Sequence, residues 1–421
     1  MTDNIPCSKS FAQRYILAVL FSKSKAVLEG INKDNLSDDV RSTIKLLDAF
    51  NVKYEFENNL LRIDATKADI QKRIKDGFEF NCGESGTLIR MLVPILASYQ
   101  GSFTLTGSGS LKNRNLDSIA PVFRNLGVSY NSNNGKVPIT VNSLGYQDNY
   151  IELELDGKET SQYISGMVMA ACFSGKQKRF KIVNCKSFEY VKITIEVMTL
   201  LGYDVDLKYC NWIYVNGRTY SSNEWRITIE KDWSSAAAYL IEKIVEEETI
   251  IEIKNIDTWS HQIDSLVIDL VEKWYTILYG GYDIKLSKNK DDLTPFWFDC
   301  TYCPDLFPVV CALAATIKTG YSKVTGLDRL VNKESNRGQV IYDEFKKYGI
   351  DLYIDDNSLF IKGTDKIINA EYNSHNDHRI AMALLILRNA YKLDIPENDQ
   401  CLSKSYPKFI NEIHHKKIRY A

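Results

Sequence analysis

Seven short stretches place hydroxyl, amide or glycine residues and cations beside the starts of apolar, helix-like runs. "CSKSFAQRYILAVL" (7–20) sets Lys9 and Ser10 at such a start, with Arg14 about one turn further on. "GESGTLIR" (83–90) repeats the arrangement with Gly86, Thr87 and Arg90, and "GSGSLKNRNL" (107–116) follows a Gly/Ser turn with Arg114. "ETSQYISG" (159–166) lines up Thr160, Ser161 and Gln162 before an apolar helix. "NKESNRGQV" (332–340) presents Lys333, Glu334 and Arg337, "NDHRIAMA" (376–383) presents His378 and Arg379, and "SKSYPKF" (403–409) presents Lys404. Taken one at a time these have plain readings: a serine at a helix start is a cap, and a lone lysine is a solvated surface charge. Together they conflict with electrostatics, because cations at a helix N-terminus oppose its dipole. Bound anions would offset that conflict for Lys9, Arg14, Arg90 and Arg379, with arginine suited to planar carboxylate and phosphate.

Acid–base candidates are few. Glu334 is flanked by Lys333 and Arg337, and Asp305 sits in "CPDLFPVV" (303–310) ahead of an apolar helix, where the plainer reading is a cap. The chain has no nucleophile elbow, no zinc-spaced ligand pairs, no acidic metal loop, no phosphate-binding P-loop and no dinucleotide fingerprint after a strand. Cys300 and Cys303 form a single C-x-x-C without a second pair, which reads as buried thiols rather than a metal site. The residues point to an enzyme, a transferase by preference, that handles small, densely anionic substrates by acid–base chemistry without a metal or other cofactor.

These residues need elements to hold them, and the chain repeats one. A helical run, a turn residue, and two short alternating strands around a polar tip occur at 46–64, 123–141, 198–217 and 345–363, with a looser copy at 278–300. Gly127, Gly202 and Gly349 stand where a helix end calls for a left-handed residue. The copies are whole supersecondary units, five visible plus a helix-rich sixth at the C-terminus, which fits two domains of three units each. Runs 160–173 and 378–391 are apolar nearly all round, which predicts helices buried inside the domains and sheets outside. A strand-to-helix change at 226–244, with Asp232 or Ser234 as cap, marks a domain crossing.

A chain of 421 residues with 44% hydrophobic and 25% charged residues is an ordinary globular composition, too long for one core. A formal charge of −2 gives no reason to expect nucleic acid, and the longest apolar runs fall short of a membrane span. The nine scattered cysteines and the absence of a secretory pattern in the first residues point to a reducing, cytoplasmic setting.

In order along the chain, these motifs resemble the enolpyruvyl transferases, and within them the EPSP synthase (3-phosphoshikimate 1-carboxyvinyltransferase) family. "SKSFAQR" is similar to S-K-S-x-x-x-R, "GESGTLIR" to G-N-x-G-T-x-x-R, "TSQYISGMVMAA" to the S-S-Q-[FY] helix and "SFEYVKIT" to S-x-x-Y-x-x-x-T. "PDLFP", "KESNR", "NDHRIAMA" and "CLSKSYPKF" resemble the P-D, K-E-S-D-R, D-H-R-x-A-M and K-S-[FY]-P segments. The resemblance implies an α/β fold, a two-domain inside-out α/β barrel with three βαβαββ-like units per domain and helices buried inside the sheets. It implies domains at 9–227 and at 1–8 with 228–421, a site in the cleft between them, and a monomer.

It also implies the reaction: the enolpyruvyl group of phosphoenolpyruvate passes to the 5-hydroxyl of shikimate 3-phosphate through a tetrahedral intermediate, in aromatic amino acid biosynthesis. Ser10, Arg14, Thr160, Ser161, Gln162, Ser187, Tyr190, Asp305 and Lys333 would hold shikimate 3-phosphate. Lys9, Gly86, Arg114, Gln162, Arg337, Arg379 and Lys404 would hold phosphoenolpyruvate. Asp305 would be the base at the 5-hydroxyl and Glu334 the proton donor to the vinyl carbon, assisted by Lys9. A UDP-N-acetylglucosamine enolpyruvyl transferase and a non-catalytic anion-binding paralogue are the alternatives. The chain departs from the pattern at Glu84 and Asn115, where Asn and Pro are usual, at Asn336, where Asp is usual, and at Arg329, where Asn is frequent. Glu84, an anion inside an anion cradle, is expected to pair with Arg114 or Lys9.

Overall fold

The protein is described here by a computed structural model covering residues 4–146, 152–289, 292–331 and 333–414, the side chains of Cys210 and His414 excepted. The chain divides into two compact units. One comprises Lys9–Asp34 and Asp38–Ile229; the other takes in Asn35–Ser37 and Glu230 onward, together with the start of the chain.

In the first unit the repeat is a four-stranded sheet built the same way each time. Strand Phe78–Asn81 runs parallel to Gln100–Thr106 after helix Gly86–Ala97; helix Ala120–Asn125 and the hairpin Ser129–Asn133/Lys136–Leu144 then complete the sheet antiparallel. Strands Glu152–Asp156, Lys178–Val183, Tyr203–Lys208 and Trp212–Arg218 repeat this around helices Gln162–Ser174 and Glu189–Leu200. The third sheet borrows its parallel strand from far along the chain: Trp225–Thr228 pairs with Lys25–Glu29, whose antiparallel neighbours are Leu60–Asp64 and then Lys53–Glu57.

Local chemistry explains the repetition. Gly127, Gly202 and Gly349 have φ of 69°, 82° and 81°, and Asn51 takes φ 55° at the corresponding place, so each helix closes through a left-handed residue before its hairpin. Asn58 and Asn134, at φ 53° and 51°, turn two of the hairpin tips. The interior helices are apolar all round because they are buried all round: Gln162–Ser174 buries Tyr163 through Cys172, and Gly86–Ala97 buries all but Thr87 and Arg90. Gly166 lets these two helices touch, since a Cβ there would fall 2.4 Å from Pro94 Cγ and 2.6 Å from the Met91 carbonyl oxygen. That close crossing sets Gln162 beside Thr87 and Arg90.

The second unit holds the sheet Trp297–Asp299, Ser322–Thr325, Ser358–Lys362, Asp351–Asp355 and the three-stranded sheet Ile250–Ile253, Ile284–Lys288, Tyr275–Tyr279. Its C-terminal part contributes helices His378–Ala390 and Phe409–His414, with no strand among the described residues from 363 to 414. Helices Trp233–Val245, Phe307–Ala314 and His378–Ala390 form its apolar interior. Asp232 caps the first of them, accepting from the Ser235 N–H at 2.8 Å, where a helix start was expected. Residues 4–8 belong to this unit: Cys7 bridges Lys231, and Asn4 donates to Glu412 at 3.0 Å from its backbone and 2.8 Å from its side chain. No helix among the described residues is long and apolar enough to cross a membrane.

Candidate active site

The sequence candidates fall into two clusters, one in each unit, and the clusters are held together by different chemistry. In the first unit, helix Lys9–Phe21 buries Arg14 until only 1% of it is exposed. Its guanidinium donates to neutral oxygens: Ser10 O at 2.8 Å, Thr194 Oγ1 at 2.7 Å, Tyr190 O at 3.0 Å and Ser165 Oγ at 3.4 Å. Burial without a carboxylate partner lowers its pKa from 12.5 to about 10, a fall that the neighbouring Tyr190 partly offsets. Arg14 therefore ties its own helix to Gln162–Ser174 and Glu189–Leu200 while keeping a positive field. Ser187 lies in the turn before the latter helix, half-buried, as is Tyr190.

One step away, Lys9 pairs with Asp39 at 3.0 Å. Gln13, fully buried, donates to Thr43 and to Ser85 at 3.0 Å each. Ser85 caps helix Gly86–Ala97, so Gln13 links the first motif to the second. Gln162 is a hub: it donates to Thr87 at 2.8 Å and accepts from Arg90 at 2.9 Å, and its backbone N–H reaches Thr160 Oγ1 at 3.2 Å. Ser161 is buried at the head of that helix, and its carbonyl accepts from Ser165. Arg90 also reaches the Asn115 carbonyl at 2.9 Å, so it joins the start of that helix to the loop at Asn115. Gly86 is small for a reason that sequence alone does not show. A Cβ there would lie 2.5 Å from Arg114 Nη1 and 3.0 Å from Arg90 Nη1, so both guanidinium groups crowd the space that a side chain would fill.

In the second unit the cluster is ionic. Asp305 takes Lys333 at 3.3 Å, Arg337 at 2.8 Å and Arg379 at 3.5 Å. Arg337, 1% exposed, spreads over three carboxylates: Asp305, Glu334 at 2.5 Å and Asp377 at 2.9 Å. Asp377 in turn accepts from Ser335 at 3.0 Å and from the backbone N–H of Arg379 at 3.0 Å, capping helix His378–Ala390. Lys404 donates to the Asn376 carbonyl at 2.8 Å.

Burial pushes the Asp305 carboxyl up, but Lys333, Arg337 and Arg379 together outweigh it and hold it well below the usual carboxylate range. Arg337 is held well above its usual value: burial works against the charge, and Asp377, Glu334 and Asp305 prevail. Asp264, buried and bonded to the Ser234 hydroxyl, goes the other way. Burial, then the Asp305 charge, raises it to about 7, although Arg379 pulls it down. The arrangement offers Asp305 as an ionised carboxylate fixed in place, with cations arrayed about it and Glu334 on the same guanidinium.

Several other residues singled out by the sequence have definite surroundings in the structure. Asp305 is no cap: Leu306 stands at the cap position of helix Phe307–Ala314, and the Asp305 carboxylate serves the ion network. Glu84 accepts from the backbone N–H of Ser110 at 2.9 Å, which shapes the Gly/Ser turn before Arg114, while Lys9 has Asp39 as an ion-pair partner. Asn336 is the cap of helix Arg337–Lys347, and Arg329 donates to the Thr301 carbonyl at 3.3 Å. Cys300 and Cys303 are fully buried, and the described residues hold no group of three or more His, Cys, Asp or Glu placed for a metal. Asp39, Asp264 and Asp377 escaped the sequence reading. Asp377 carried a signal, an acid immediately before a helix that opens on His-Arg; the other two carried none beyond their type.

Comparison with known proteins decides the family. The profile of EPSP synthase (3-phosphoshikimate 1-carboxyvinyltransferase) matches residues 3–413. The chain belongs to the EPSP synthase family. The 3-phosphoshikimate 1-carboxyvinyltransferase of Clostridium botulinum (strain Alaska E43 / Type E3) is 30% identical over 413 residues, covering 97% of this chain and 93% of that one. That of Clostridium acetobutylicum is 29% identical, with 97% and 93% covered. Among solved structures, EPSP synthase from Acinetobacter baumannii superposes with a TM-score of 0.74 at 21% identity, covering 99% of this chain and 95% of its own. The enolpyruvyl transferase NikO from Streptomyces tendae gives 0.68 at 14% identity, with 98% and 93% covered. At those identities the structures establish the fold: the two-domain inside-out α/β architecture of the family.

Proposed function

We propose that this chain is a 3-phosphoshikimate 1-carboxyvinyltransferase, acting on shikimate 3-phosphate and phosphoenolpyruvate as a monomer in the cytoplasm. Its family membership over nearly the whole chain carries the reading. The clusters supply chemistry that suits it. Ser10, Arg14, Thr160, Ser161, Gln162, Ser187, Tyr190, Asp305 and Lys333 are the residues for shikimate 3-phosphate. Lys9, Gly86, Arg114 and Gln162, with Arg337, Arg379 and Lys404, hold phosphoenolpyruvate. Arg337 uses three N–H groups on carboxylates, and a guanidinium has five, so donors remain for a substrate carboxylate.

In the reaction the 5-hydroxyl oxygen bonds to the enol carbon of phosphoenolpyruvate. Its proton passes to Asp305, and the vinyl carbon takes a proton from Glu334, with Lys9 assisting. The tetrahedral intermediate then returns a methyl proton to the Glu334 carboxylate as the bond to the phosphate oxygen breaks, and the Asp305 proton passes to the departing phosphate, which restores the double bond and both acids. At rest Asp305 is a weak base because three cations hold it ionised. Phosphoenolpyruvate competes for Arg337 and Arg379, so its arrival weakens that hold and raises the basicity of Asp305 as both reactants come together. The cations also offset charge on the departing phosphate.

The test is phosphate release from the two substrates, with and without chelator. Turnover unaffected by chelator supports the reading; no turnover overturns it, and loss with chelator overturns the metal-free mechanism.

A further inference from the structure

Three consecutive residues ahead of helix His378–Ala390 carry an unusual share of the second cluster. His375 and Asn376 have φ of 51° and 54°, so two L-residues in succession adopt the left-handed conformation that side chains disfavour. The Asn373 side chain supports the turn by accepting from the His375 N–H at 2.9 Å. From this bend Asn376 and Asp377 reach different parts of the site. Asn376 gives its carbonyl to Lys404 at 2.8 Å, and Asp377 takes Arg337 at 2.9 Å and the backbone of Arg379 at 3.0 Å.

His375 itself points away from these groups. Its Nε2 lies 2.6 Å from Glu344 Oε1, with the ring about one-third exposed and the carboxylate fully buried. Glu344 belongs to helix Arg337–Lys347, two turns beyond Arg337 on the same buried face, and also takes Lys347 at 2.7 Å. The strap is thus fastened to one helix twice, through Asp377 at its head and His375 further along. The second fastening fixes a disfavoured backbone whose carbonyl and carboxylate hold the Lys404 ammonium and the Arg337 guanidinium and cap the helix that carries Arg379.

We propose that His375 is a positioning residue of this site: its bond to Glu344 keeps 375–377 in their left-handed path, so that Asn376 and Asp377 place Lys404, Arg337 and Arg379 to receive phosphoenolpyruvate. The proposal rests on the functional reading above. Without the latch, the strained pair relaxes toward ordinary backbone, and the cations that lean on it lose their register.

The test compares H375A and H375N, which cannot span to Glu344, with H375Q, which keeps an N–H donor of similar reach. H375A or H375N is expected to raise the KM for phosphoenolpyruvate about tenfold, with kcat and the KM for shikimate 3-phosphate changed less than about threefold, and H375Q to recover most of the loss. Hydrogen exchange of the full chain is expected to quicken at 373–379 and 400–404 in H375A or H375N but not in H375Q. Equal rises in both KM values, no change in either, or exchange that is the same in all variants would overturn the latch. Failure of the wild-type chain to turn over would instead count against the functional reading, while the exchange comparison would still judge the latch.

Discussion

Arg14 and Arg337 are buried to the same degree, each 1% exposed, and both lie near the start of a helix, yet they are held in opposite ways. Arg14 rests on two hydroxyls and two carbonyls, all neutral, and burial pulls its pKa down to about 10. Arg337 rests on three carboxylates, which hold its proton more tightly than usual. The first arrangement spends hydrogen bonds and leaves the charge uncancelled, which suits a place that must attract an anion. The second balances the charge against three acids that the guanidinium fixes in place, so an arriving anion must compete with them for it. A cation beside a helix start therefore signals two different things, and only its partners tell which.

Removing each cation breaks the comparison most sharply. R337M takes a buried ion-pair partner from three carboxylates, of which Asp305 keeps Lys333 and Arg379, and should cost about 3–5 kcal/mol of stability near pH 8, since breaking a buried pair leaves uncompensated charge. Much of that loss should return as the pH falls and those acids take up protons. R14M leaves only neutral groups unpaired and should cost about 1–3 kcal/mol, with little dependence on pH. Calorimetric melting of both variants at several pH values reads the difference; parallel pH profiles would show that the two arginines are held alike after all.

The same unit as Arg337 carries two acids pushed up rather than down. Asp264 is raised to about 7 by burial and the Asp305 charge, and Glu242 to about 8 by burial, which Lys243 at 2.7 Å only partly offsets. A carboxyl whose folded pKa is raised binds more protons folded than unfolded. Its stabilisation is complete below the unfolded value and is lost as the pH rises through the folded one. From the unfolded values of 3.8 and 4.5, that window runs to about 7 for Asp264 and about 8 for Glu242. The slope is as much as about 1.4 kcal/mol per pH unit for each group. Asp305, pulled down, acts in reverse: its contribution is present above 3.8 and is lost only as the pH falls through its lower folded value. D264N and E242Q should each flatten the decline on the alkaline side of about pH 5; unchanged slopes would mean that those acids are ionised in the folded protein.

Much of this was legible in the sequence because it depends on neighbours along the chain. The left-handed Gly or Asn after each helix, the polar hairpin tips and the all-apolar helices are local signals, and the structure places them as read. The site motifs were legible for the same reason, being short runs at helix starts. What escaped depends on packing. The strand Trp225–Thr228 joins a sheet whose other strands lie before residue 65, a pairing that no local pattern encodes. Asp39 and Asp264 are two of 54 acids, and nothing but their buried or cationic surroundings distinguishes them, whereas Asp377 stands directly before a helix that opens on His-Arg. Asp305 was ambiguous between cap and network because both readings require an acid at that place, and only the position of Arg337 separates them.

A smaller effect tests the crowding at Gly86. The atom nearest a Cβ there is the tip of Arg114, which can swing aside, so G86A should fold normally and displace that guanidinium. The KM for phosphoenolpyruvate should rise about tenfold, and that for shikimate 3-phosphate should stay within about twofold. An equal rise in both would show that Arg114 does not serve one substrate preferentially.

The smallest effect belongs to Glu84, the anion in the cradle. Its carboxylate accepts from the Ser110 N–H at 2.9 Å, and Gly109, at φ 49°, packs so close that any Cβ would overlap the carboxylate. One thing the turn before Arg114 takes from residue 84 is an acceptor for Ser110, and an amide oxygen supplies one as well as a carboxylate does. E84Q should keep stability within about 1 kcal/mol, because the hydrogen bond persists, whereas E84A leaves the Ser110 N–H without that acceptor and should cost more. If E84Q instead proves as damaging as E84A, the charge itself matters, and Glu84 is part of the electrostatic balance of the cations around Gly86 rather than a brace for the loop.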